Sequence, residues 1–96
     1  MKHVTTDYES GLKASLSDPE EAAAYLNAAL EENDQGVFLL ALRDIAEARS
    51  FSQLADEALL NRENLYRMLS ATGNPQLSSL NALLRSIGLR LAIEVE

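Results

Sequence analysis

The sequence predicts an all-α domain closed by a short β-strand, and three observations carry that prediction. Apolar residues recur every three to four positions through most of the chain. Side chains that cap helices stand just ahead of several of these runs. After Gly88 the apolar period drops to two. At 96 residues, 47 % of them hydrophobic, the chain has enough for one modest core and no room for a second. A chain of this size buries only about 60 to 65 % of its unfolded surface, so a dimer interface would add stability.

Three segments divide the chain: 1–17, a marginal helix; 18–88, a helical body; and 89–96, the strand. In the first, Tyr8, Leu12 and Leu16 share a four-residue spacing, although Gly11 weakens a helix there by roughly 1 kcal/mol. Asp18-Pro19-Glu20-Glu21 is a strong helix start: Asp18 caps, Pro19 suits the first helical position, and Glu21 stands where a capping-box acid belongs. Ala22, Leu26, Ala29 and Leu30 form the apolar side of the helix that follows, which stops near Asn33-Asp34-Gln35-Gly36. Asp34 caps the next helix, whose stripe is Phe38, Ala41, Leu42 and Ile45.

Ser50-Phe51-Ser52-Gln53 has the capping-box form and opens a short helix that buries Leu54, Ala55 and Ala58. After Leu59-Leu60, Asn61 caps a second short helix over 62–70, with Leu65, Met68 and Leu69 inward. At 100° per residue the opposite side falls on Glu63 and Arg67, with Tyr66 and Ser70 beside them and Arg62 and Asn64 on the flanks. Arg and Asn can make bidentate bonds to guanine and adenine edges, and Glu can accept from cytosine, so this face suits major-groove readout. Asn74-Pro75 predicts the start of a last helix with Leu77, Leu80, Leu83, Leu84 and Ile87 on one stripe and Gly88 as its stop. Leu89, Leu91, Ile93 and Val95 then alternate with Arg90, Ala92 and Glu94. A lone strand is unstable, so this one pairs with its twofold mate in a homodimer, with an N-terminal piece such as His3-Val4-Thr5, or with a partner protein, or else stays disordered.

Charge is uneven. Residues 1–48 hold ten acids and three bases, so the whole formal charge of −7 lies there and residues 49–96 balance. Such a half suits a basic partner protein, or serves as a solvated face that keeps the chain soluble. Catalysis has no foothold: there is no cysteine, His3 is the one histidine, no glycine-rich phosphate loop is present, and Glu20-Glu21 and Glu31-Glu32 diverge around their helices. The chain is therefore read as a non-enzyme, without catalytic residues, metal or cofactor. The absence of an apolar signal-peptide core and of a run of about 18 apolar residues predicts a cytoplasmic protein that does not enter membranes.

The run 51–69 resembles the Cro/phage-repressor helix-turn-helix family, with Ala55 at the close-packing position and Leu60, Leu65 and Met68 at its apolar ones. From Asp18 onward, Asp18-Pro19-Glu20-Glu21-Ala22-Ala23-Ala24-Tyr25-Leu26 and Leu65-Tyr66-Arg67-Met68-Leu69-Ser70 through Gly73-Asn74-Pro75 are similar to addiction-module antidote proteins, the HigA-like antitoxins. That resemblance implies a five-helix, phage-repressor-like DNA-binding domain with a helix-turn-helix at 51–70. It implies two partners as well: double-stranded operator DNA, and a cognate small basic toxin of the RelE/ParE type.

On this reading Ser52, Gln53, Asn61, Arg62, Glu63, Asn64, Tyr66 and Arg67 contact DNA. Ser50 and the backbone of 72–74 join them at phosphates. Capping alone also accounts for the small polar residues, ion pairing with Glu63 or a nearby acid for the two arginines, and packing for Tyr66. Tyr8, Leu12, Leu16, Glu20 and Glu21 are the toxin-binding candidates, and Leu89, Leu91, Ile93 and Val95 the dimerisation candidates. A stand-alone phage-type repressor and a protein-binding scaffold are the competing readings. The sequence departs from the family at Leu59, where the turn usually has glycine. Either the turn differs, or Leu59 is strained at positive φ by on the order of 1 kcal/mol, or it extends the first helix and fills core space.

Overall fold

A computed structural model describes residues 15–96. Among them lie α1 (Pro19–Leu30), α2 (Gln35–Arg49), α3 (Phe51–Glu57), α4 (Arg62–Met68) and α5 (Leu77–Ser86), and no strand. The proposed helix through Tyr8 and Leu12 lies outside the described residues; Ser15 and Leu16 are helical.

Four of the five starts are written in local side-chain chemistry. Asp18 accepts from the Glu20 N–H at 3.2 Å, Asp34 from Gly36 at 2.8 Å, Ser50 from Gln53 at 3.3 Å and Asn61 from Glu63 at 2.8 Å. Each bond satisfies an amide that the first helical turn leaves without a backbone partner. The fifth start departs from expectation. α5 begins at Leu77, two residues beyond Pro75, with Gln76 in the capping position and no side-chain bond.

α1 packs on α2, and α3 packs on α2, α4 and α5, so the short α3 is the hub. Leu39, Leu42, Ile45, Leu65, Leu69, Leu83 and Ile87 are fully buried, and no polar side chain is buried among the described residues. Burying each such side chain is worth about 1.5–3 kcal/mol. Two residues assigned inward turn out to face water: Leu30 and Leu77, each at a helix end, are 54 % and 69 % exposed.

The turn after α4 is pressed onto the start of α2. Gln35 Nε2 donates to the Gly73 carbonyl at 2.9 Å. A Cβ on Gly73 would stand 2.2 Å from the Met68 carbonyl oxygen, and one on Gly36 2.7 Å from that of Ala71. Backbones approach here to a distance that only glycine permits.

Leu59 has φ 58° and its side chain is 91 % exposed. Of the three alternatives for this residue, strain is the one observed: Leu59 neither continues the helix nor fills the core.

The C-terminal strand is not formed. Residues 89–96 have no regular structure: Leu89 packs against the core, while Leu91, Ile93 and Val95 are 44 %, 100 % and 102 % exposed. Alternation predicts which side of a strand would be apolar, but the ladder needs a second strand, and the described part of this chain offers none.

Candidate nucleic-acid interface

α4 is short, but its ends and its inner side are fixed. Asn61 caps it, accepting also from Asn64 N–H at 3.4 Å, and Leu65 anchors it in the core at 0 % exposure. With Leu65 inward, Arg62, Glu63, Asn64 and Arg67 are all exposed, as the 100° spacing requires. Ser52 and Gln53 are exposed on the first turn of α3. The structure thus gathers all eight predicted DNA-contacting residues on α3, α4 and the connection between them.

Tyr66 organises this face. Its ring stacks on Phe51 with centroids 4.0 Å apart and planes 7° from parallel, which ties α4 to the first residue of α3. Two guanidinium groups lie over the same ring, Arg43 of α2 at 5.5 Å and Arg62 at 5.9 Å. Packing and a surface role therefore coexist in Tyr66, which is 37 % exposed.

The arginines do not pair with Glu63. Arg67 Nη2 donates to Asn64 Oδ1 one turn earlier, aligning two planar hydrogen-bonding groups side by side. The ion pair among the described residues is Arg43–Glu47, at 3.6 Å on the surface of α2.

Arg43 is the residue that sequence reasoning missed. It is 23 positions from Tyr66, and no local pattern announces a contact made only when α2 and α4 meet.

Of the proposed toxin-binding set the structure describes Leu16, Glu20 and Glu21. Tyr8 and Leu12 lie outside the described residues. Leu16 is 3 % exposed and belongs to the core, so its apolar surface is covered within this chain. Glu20 and Glu21 are exposed in the first turn of α1, where the helix dipole favours acids. Among the described residues no cluster of His, Cys, Asp or Glu could hold a metal, and no helix is long and apolar enough to cross a membrane.

Short helices, one of them with a polar, planar-ended face backed by aromatic stacking, define a small all-helical protein. The chain belongs to the family of probable addiction module antidote proteins, whose model matches residues 8–95. It is also similar to an uncharacterised protein of Haemophilus influenzae, with 39 % identity over 79 residues, 82 % of this chain and 81 % of that one. No solved structure matches it. Membership in an antidote family implies a toxin as partner.

Proposed function

We propose that the protein is the HigA-like antitoxin of a type II toxin–antitoxin module. It neutralises a small basic toxin of the RelE/ParE type and binds operator DNA to repress its own operon in the cytoplasm. α3 and α4 act as a helix-turn-helix of the Cro/phage-repressor class, with α4 in the major groove. The observation that carries the DNA half is the face of α4. Arg62, Glu63, Asn64 and Arg67 point outward together, while Tyr66 on the same helix is held against Phe51.

Arg67 and Asn64 are assigned to base edges, for which their mutual bond pre-aligns them. Arg62, Arg43, Ser52 and Gln53 are assigned to phosphates, which position the protein without reading sequence.

A single α4 reads only a few base pairs, so useful specificity requires two, about 34 Å apart on one DNA face. We assign that pairing to a homodimer joined through Leu89, Leu91, Ile93 and Val95. Three of these are apolar side chains that the chain leaves in water. We assign the toxin to residues 1–48, which hold the whole net charge of −7, with Tyr8, Leu12, Glu20 and Glu21 as contact candidates. Toxin seated there also screens the charge that opposes DNA, which would tighten operator binding.

The test is a gel shift with the DNA upstream of the chain's gene, together with co-expression of the small basic protein encoded beside it. The reading expects a shift that Arg67→Ala weakens by about 1–3 kcal/mol, and relief of growth arrest by the chain. A shift without relief would leave a stand-alone repressor; relief without a shift would remove the DNA-binding half.

A further inference from the structure

α1 and α2 leave an open groove between them, on residues that the DNA face does not use. Its lining includes Ala28, Ala41, Val37 and Leu40, with Glu32 and Asp44 as its acids. Val37 and Leu40 are large apolar side chains left 38 % and 42 % exposed on adjacent turns of one helix. Asp44 is held in place by the Tyr25 hydroxyl, which donates to it at 2.7 Å.

The two helices and their connection carry a one-sided charge. Residues 19–49 carry Glu20, Glu21, Glu31, Glu32, Asp34, Asp44 and Glu47 against Arg43 and Arg49 alone. Both arginines are engaged away from the groove. Arg43 lies over the Tyr66 ring and pairs with Glu47, and Arg49 donates to the Ser17 carbonyl at 3.0 Å. No cation lines the groove.

We propose that this groove is the seat of the toxin, and that it takes a basic segment whose apolar ridge is flanked by Lys or Arg. The ridge covers Val37 and Leu40, and the flanking cations meet Glu32 and Asp44. An apolar floor with acids at its edge fits that chemistry and opposes two alternatives. DNA phosphates would be repelled, and a second copy of this chain would set the same acids against each other across a twofold axis. The proposal rests on the antitoxin reading and adds where the toxin sits.

The test measures binding of the purified full chain to the small basic protein encoded beside its gene, by calorimetry at low and high salt. Leu40→Arg and Glu32→Arg are each expected to weaken binding by at least about tenfold, and high salt to weaken the wild type. Both variants are expected to melt cooperatively and to shift operator DNA like the wild type. Leu77→Arg, an equally drastic change at an exposed leucine of α5, is expected to bind unchanged. Glu32 is exposed just beyond α1, so Glu32→Arg keeps the test sharp where Leu40→Arg fails to fold. Wild-type binding that both groove variants retain would overturn the groove and leave the antitoxin reading standing. Equal loss in Leu77→Arg would overturn it too, and absence of wild-type binding would overturn the antitoxin reading and the groove together.

Discussion

Leu59 and Gly88 occupy the same place in two copies of one helix-ending motif. In the first, Leu60 N–H donates to the Ala55 carbonyl at 2.8 Å and Leu59 N–H to that of Asp56 at 3.2 Å. In the second, Leu89 donates to Leu84 at 2.8 Å and Gly88 to Arg85 at 3.1 Å. This is the Schellman arrangement, whose central residue must be left-handed; φ is 58° at Leu59 and 82° at Gly88. Glycine adopts that conformation freely, whereas a leucine meets its own carbonyl and gains no burial in return.

Leu59→Gly is therefore expected to stabilise the protein by about 1 kcal/mol, the left-handed penalty less the entropy that glycine adds to the unfolded chain. For a domain of this size that is a rise in Tm of roughly 4–8 °C. Thermal denaturation followed by circular dichroism measures it, and an unchanged or lower Tm would show that Leu59 is not strained.

Gly73→Ala should act in the opposite direction. Its new methyl would meet the Met68 backbone oxygen, part of the main chain and not the end of a flexible side chain, so the expected loss is about 1–3 kcal/mol. Urea denaturation reads the loss as a lower midpoint with unchanged slope.

The Phe51–Tyr66 stack joins the two helices that carry the proposed DNA face. A double-mutant cycle through Phe51→Leu and Tyr66→Leu is expected to give a coupling of about 0.5–1.5 kcal/mol beyond the two separate losses. Strict additivity would mean that the rings merely fill space.

On DNA the arginines should separate by role. Arg67→Ala is expected to cost about 1–3 kcal/mol and to relax preference at one base position. Arg43→Ala should weaken all sequences alike and lower the salt dependence of binding by about one counterion. Titrations against operator and scrambled DNA at several salt concentrations distinguish the two, and a salt slope unchanged by Arg43→Ala would remove it from the interface.

The sequence by itself determined what depends on neighbours within about four residues. Asp18, Asp34, Ser50 and Asn61 cap the helices they were expected to cap, because a side-chain oxygen reaches amides only two or three positions ahead. The inward turn of Leu65 and the polar outer face of α4 follow from helical periodicity alone. Tertiary structure decided the rest. The contacts of Tyr66 with Arg43, of Gln35 with Gly73 and of Tyr25 with Asp44 join residues 19 or more positions apart, and no local pattern encodes them. Packing placed Leu16 in the core, although its spacing suited a partner's surface equally well. Between the three alternatives at Leu59 only the backbone torsion could choose, since the stop of α3 is fixed by hydrogen bonds back to Ala55 and Asp56 and not by the side chain itself. The alternation after Gly88 specified which side chains would share a face, and without a second strand to complete its hydrogen bonds that pattern builds no strand.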